Sequence, residues 1–245
     1  MKRKIFTFLF AIAAAFTLQY STTYAADVDA LEPLAEEDYR AWTQDDSRWG
    51  SIQMGSSGST VKNSGCLVTS ITKLIIQSEL KNPTDYTPAT LVNWMNNNGA
   101  FTDGGGVIWS QLNGCVSGFS YYNRVLEDSE SGYDVTKYYD KFIEWINNGY
   151  HLVVKVKRSN GSQHWVAIDE KKTLETGVVY MMDSIPSNVN TDITLAERYA
   201  VMYRVEAFKG GKTPSVSGSG NVEHVHDYVR TVSEKATEDK VGKLK

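Results

Sequence analysis

The hydrophobic pattern of this 245-residue chain changes period once, and that change restricts what it can fold into. Leu67, Ile71, Leu74 and Ile75 recur at i, i+4, i+7 and i+8, which predicts one face of a helix over 66–79, ended before Pro83. Thr87-Pro88 opens a second helix, with Thr as N-cap and Pro at the first helical position, and Gly99 stops it. Asp134 caps a third, which carries Tyr138, Phe142, Trp145 and Ile146 on one side and ends at Gly149. Beyond Gly149 the pattern turns strand-like over 152–156, 165–168, 178–182 and 199–208. Helices first and a sheet of antiparallel type second predict an α+β fold rather than alternating α/β.

The two ends differ from this middle. Lys2, Arg3 and Lys4 precede an apolar run over 5–18, and Thr23-Tyr24-Ala25 sets small residues at the −3 and −1 positions of a cleavage site. The run is shorter than the roughly 20 residues a spanning helix needs, so residues 1–25 read as a cleaved secretory signal peptide. A secreted or cell-surface protein follows, meeting the membrane only during secretion. Removing 1–25 takes away three bases and no acid, which moves the formal charge from −4 to about −7. That balance gives no electrostatic support for nucleic-acid binding.

Residues 26–37 form an N-terminal segment and 38–210 the folded domain, a size suited to one core. Residues 211–222 have linker composition, and 223–245 form a polar tail with five acids, five bases and one aromatic. His224 and His226 lack the further ligands a metal site needs, and no cofactor or metal is expected. The stretch 226–242 resembles the opening of a repeat module of bacterial surface proteins in which a Cys-x-x-Cys follows; the sequence holds no such pair after it, so the alternatives are a truncated module and an accidental resemblance.

The chemistry rests on four residues. Cys66, in Ser64-Gly65-Cys66-Leu67, falls in the first turn of the first predicted helix. A thiol attacks a carbonyl only as the thiolate, and a helix N-terminus favours that anion. His164, at the start of a strand, is the candidate base, and His151, opening a continuously apolar strand, is its rival. Asp183 ends the strand after His164 and can fix the imidazole; Asp169, its rival, lies five residues along the same strand and faces away. Gln44 and the Cys66 N–H are candidate oxyanion donors.

Several segments in order carry a resemblance. Trp42-Thr43-Gln44-Asp45-Asp46-Ser47-Arg48-Trp49-Gly50, Ser64-Gly65-Cys66-Leu67-Val68-Thr69-Ser70, Asn148-Gly149-Tyr150-His151-Leu152-Val153-Val154, Gln163-His164-Trp165-Val166-Ala167-Ile168 and Tyr180-Met181-Met182-Asp183-Ser184 resemble papain-like cysteine peptidases. The similarity is to the bacteriocin-processing-peptidase-like family, which includes double-glycine leader peptidases. It implies a papain-like fold, with the helical front half packed on the sheet. It further implies a secreted cysteine peptidase using Cys66, His164 and Asp183, with Gln44 at the oxyanion. Leu67-Val68 replaces the Gly-Pro of many members, and Ser184 rather than Pro follows Asp183, which leaves the substrate class open.

Peptides, proteins or peptidoglycan stem peptides are the expected substrates, the last through an endopeptidase or amidase activity. The alternative from another class is a surface binding module, with Cys66 inert or bridged to Cys115. Otherwise Cys115 is a small buried hydrophobe. Asp103-Gly104-Gly105-Gly106 lacks the Lys of a phosphate loop and reads as a loop bordering the substrate groove, with Trp109 as an apolar wall. Glu36-Glu37 and Asp45-Asp46 read as solvated surface rather than paired catalytic carboxylates.

Overall fold

The helix that carries the apolar stripe is buried on all sides. In the computed structural model, which describes residues 38–188 and 192–214, α2 (Cys66–Gln77) is buried at every position from Leu67 to Ile76. The single turn α1 (Val61–Ser64) precedes it across Gly65. α3 (Pro88–Asn97) begins with Pro88 behind the N-cap Thr87, as the sequence predicts. Asp134 accepts a hydrogen bond from the Thr136 N–H and caps a 3-10 turn over Val135–Tyr138. That turn leads into α4 (Tyr139–Asn147), so the predicted third helix is two pieces rather than one.

Among the described residues six strands form one antiparallel sheet: β1 (Ser120–Leu126), β2 (Tyr133–Asp134), β3 (Tyr150–Lys157), β4 (Gln163–Asp169), β5 (Tyr180–Met182) and β6 (Val201–Lys209). Their order is β1-β6-β3-β4-β5, with β2 also paired to β6. The α+β class with helices packed on an antiparallel sheet is therefore present.

Two faces of this sheet are covered, which is why β3 and β4 read as unbroken apolar runs. Val153, Trp165, Ala167, Met182 and Phe208 join the core beneath α2 and α3. Leu152, Val154, Val156, Val166 and Ile168 join a second core with Phe142 and Ile146 of α4.

Three elements escape the periodicity. β1 is a half-buried edge strand with no clean alternation. The two-residue β2 is too short for any pattern. α5 (Glu170–Thr176) has a single large apolar residue; it forms because Asp169 caps it and Gly177, in the left-handed region at φ 72°, ends it. β5 is consequently shorter than the predicted 178–182.

The described residues all belong to the compact unit Glu36–Lys245, and no helix among them is long and apolar enough to cross a membrane. The expected signal peptide over 1–25, the segment 26–37 and the expected polar tail lie outside the described residues, as does most of the expected linker.

Candidate active site

A polar stripe decides where α2 lies against the sheet. Cys66, Ser70, Lys73 and Gln77 recur at i, i+4, i+7 and i+11, one face of the helix. Ser70 Oγ donates to the Trp165 carbonyl at 3.1 Å, and Gln77 Nε2 donates to the Ile168 carbonyl at 3.1 Å. From Ser70 to Gln77 a helix advances about 10.5 Å, and from Trp165 to Ile168 a strand advances about 10 Å. Helix and strand thus run in step. Cys66, one turn or about 6 Å before Ser70, comes level with the residue pair that precedes Trp165, which includes His164.

Cys66 is half-buried at the first position of α2. Its backbone setting depends on Gly65. A Cβ at Gly65 would stand 2.5 Å from both the Val61 carbonyl oxygen and Val61 Cγ1. Gly65→Ala is expected to cost about 1–3 kcal/mol, read as a lower urea midpoint, and to slow alkylation of Cys66 by shifting its turn.

His164 is fully buried and its Nε2 stands 2.7 Å from Asp183 Oδ1. An ionised carboxylate only accepts, so Nε2 carries the proton of that bond. The Tyr199 hydroxyl donates to Asp183 Oδ2 at 2.8 Å and the Ile185 N–H to Oδ1 at 3.0 Å. Burial raises the pKa of Asp183, but His164, Tyr199 and the Ile185 N–H outweigh it and hold the carboxyl at about 2.

Burial likewise disfavours the imidazolium of His164. The bond to Asp183 and the nearby Cys66 thiol outweigh it and raise the pKa to about 9. Nδ1 has no partner of ordinary hydrogen-bond geometry, so the thiol is a close neighbour of the ring rather than a well-formed partner.

Gln44 is buried beside this group. Its Nε2 donates to the Lys62 carbonyl at 2.7 Å, one of its two N–H groups, and its Oε1 is buried without a partner. Its backbone N–H donates to the Ser184 carbonyl at 2.9 Å, which ties the Gln44 segment to the residue after Asp183.

Lys73 adds a second tie. Its Nζ is fully buried and donates to the carbonyls of Arg40 at 2.9 Å, Asp183 at 2.9 Å and Met182 at 3.4 Å. Burial lowers its pKa to about 7, against the attraction of Asp183 and Asp38. One side chain of the Cys66 helix thereby holds the main chain on both sides of the site.

The rivals occupy other places. His151 is buried in a pair with Glu170: Nδ1 lies 3.0 Å from both carboxylate oxygens, and Nε2 lies 2.7 Å from the Gly210 carbonyl. Both ring nitrogens are engaged, which leaves none for a thiol. Asp169 caps α5 and stands 3.7 Å from Arg40. Cys115 is a buried free thiol with its pKa pushed up to about 11 by desolvation, and the Cys66–Cys115 bridge is not formed.

Asp103 and Gly104 lie in an exposed turn between the bridged residues Phe101 and Val107. Trp109 is half-buried, edge-on to Trp165 at 5.5 Å between ring centroids. Asp46 pairs with Arg48 at 2.7 Å near the surface, and Asp45 accepts from the Thr43 hydroxyl. Glu36, Glu37, His224 and His226 lie outside the described residues, among which no group of three or more His, Cys, Asp or Glu is placed to hold a metal.

Sequence reasoning missed Tyr199, Lys73, Ser70 and Gln77. The last three had a signal, their helical spacing from Cys66, because a lysine on a helix this apolar needs buried acceptors. Tyr199 had none, since its contact with Asp183 depends on how the chain after β5 returns. Comparison with protein families, curated proteins and solved structures finds no match to this chain.

Proposed function

We propose that this chain is a secreted cysteine peptidase of papain-like fold, similar to the bacteriocin-processing peptidases. The observation that carries this reading is His164, held through Nε2 by Asp183 at 2.7 Å with Cys66 as the neighbour that raises its proton affinity. With His164 titrating near 9, its ring holds a proton at neutral pH, ready to be given up in the reaction.

The Cys66 thiolate attacks an amide carbonyl and forms the C–S bond, while Gln44 and the Cys66 N–H receive the oxyanion. His164 gives its proton to the leaving nitrogen as the C–N bond breaks. Water, deprotonated by His164, then splits the thioester, releasing the acid and restoring the thiol proton to the pair. Asp183 keeps the ring oriented throughout.

Mass spectrometry after iodoacetamide treatment near neutral pH tests the reading. Cys66 is expected to label quickly and Cys115 hardly at all, with casein degraded by the untreated protein and spared after labelling. Parallel digestion of cell walls separates protein cleavage from peptidoglycan cleavage. A Cys66 that resists alkylation, with neither material cut, overturns the peptidase reading and favours a binding module.

The rate constant kcat/KM falls as pH rises through about 9, where His164 loses the proton owed to the leaving group. Stability follows the same direction: the His164 contribution is complete below its unfolded value of 6.5 and is lost as pH rises through about 9. A pH–rate profile with no alkaline limb would contradict this role.

A further inference from the structure

Beside the His164–Asp183 pair lies charge that the hydrolysis above does not use. A cavity of about 520 Å³ is lined by Lys157, Arg158, Ile185, Arg198, Tyr199 and Tyr203, among others. It adjoins the candidate triad through two of them. Tyr199 donates to Asp183 Oδ2 and its ring centroid is 6.1 Å from that of His164, and the Ile185 N–H donates to Asp183 Oδ1.

The described residues that line this cavity include Lys157, Arg158 and Arg198 and no acid, and Arg204 follows the lining residue Tyr203 in β6. The chain as a whole has 29 acids against 25 bases, so this run of one sign departs from its composition. Arg204 is engaged by Glu206 and Asp128. Among the described residues, none of the other three has a carboxylate within ion-pair distance. Lys157 Nζ sits over the Tyr203 ring at 4.1 Å. Arg158 Nε is buried with no hydrogen-bond partner, a donor whose desolvation goes uncompensated until an acceptor arrives.

We propose that this cavity is a carboxylate subsite on the leaving-group side of the substrate. The side follows from chemistry: the imidazole that protonates the leaving nitrogen stands beside it, and the cavity lies beyond that imidazole's own partners. A guanidinium fork matches a planar carboxylate in geometry as well as charge. The carboxylate comes from an Asp or Glu side chain or from the substrate's own C-terminus. This proposal rests on the peptidase reading.

Digestion of a random decapeptide library, with cut sites read by mass spectrometry, tests it. Asp, Glu or a free C-terminus within about three residues on the leaving side is expected to be enriched about 10-fold or more over its amide counterpart. An Arg158→Gln/Arg198→Gln double variant is expected to bring that ratio close to one. The same library with amidated C-termini separates the two sources of carboxylate. A wild-type ratio near one, or a ratio unchanged in the double variant, overturns the subsite.

A second measurement keeps its failure distinct from failure of the peptidase reading. The Cys66→Ser protein is titrated with acetyl-Ala-Glu-Ala-amide and with the Gln counterpart, followed by NMR of the guanidinium signals of Arg158 and Arg198. Shifts with the Glu peptide alone support the subsite even if no peptide is cut. Equal shifts, or none with either peptide, reject it even if peptides are cut.

Discussion

Cys66→Ala is expected to lower amide hydrolysis by about 10⁴-fold or more while leaving the melting temperature near that of the parent. The size follows from the role. Removing the nucleophile removes the covalent route, and the remaining donors, Gln44 and the helix N-terminus, stabilise only what attacks without it. The fold is spared because Cys66 is half-buried at the end of α2, and Ser70, Lys73 and Gln77 hold that helix to β4 and the Asp183 segment. Circular dichroism melts beside steady-state rates check both halves. Turnover retained in Cys66→Ala would remove the thiol from the mechanism. His164→Ala is expected to fall less far, by about 10² to 10⁴.

The second large effect is on stability. His151→Leu leaves the Glu170 carboxylate buried without its partner and the Gly210 carbonyl without its donor. Breaking a buried pair from one side costs about 3–5 kcal/mol, a large part of the 5–15 kcal/mol that holds a typical domain together. Urea unfolding should show the midpoint falling with an unchanged slope. Adding Glu170→Met should recover much of the loss, because the uncompensated charge is then gone. The fraction still folded should hydrolyse at the parent rate. A folded His151→Leu protein without activity would instead make His151 the base.

These two expectations separate two histidines that the sequence presents almost alike. Each opens an apolar strand thirteen residues from the other, and each lies downstream of Cys66. Order and composition favoured His164 through resemblance, and a rival remained because strand sequences do not announce their partners. Asp183 was within reach for a local reason, as the residue that ends the next strand. Its actual approach to His164 runs through α5, a helix with too little apolar character to be read from periodicity.

Much of the fold was written locally. The stripe of α2, the Thr87-Pro88 start of α3 and the apolar runs of β3 and β4 each bury where their period says they should. β1 and β2 were not legible, because an edge strand need not alternate cleanly and a two-residue strand has no period. The Lys73 contacts lay between these cases. Its spacing from Cys66 was visible, but its three acceptors are carbonyls, a group every residue carries and no sequence distinguishes.

The sequence by itself determined which chemical groups exist and how each element is patterned: one thiol at a helix start, two strand histidines, a carboxylate at a strand end. Only the tertiary structure decided which of them meet. His164 pairs in register with Val156 and His151 with Phe208, so one imidazole reaches Asp183 beside the thiol and the other is sealed against Glu170. Periodicity is a property of neighbours along the chain. Register comes from packing between distant segments, and it sets which buried polar groups find partners.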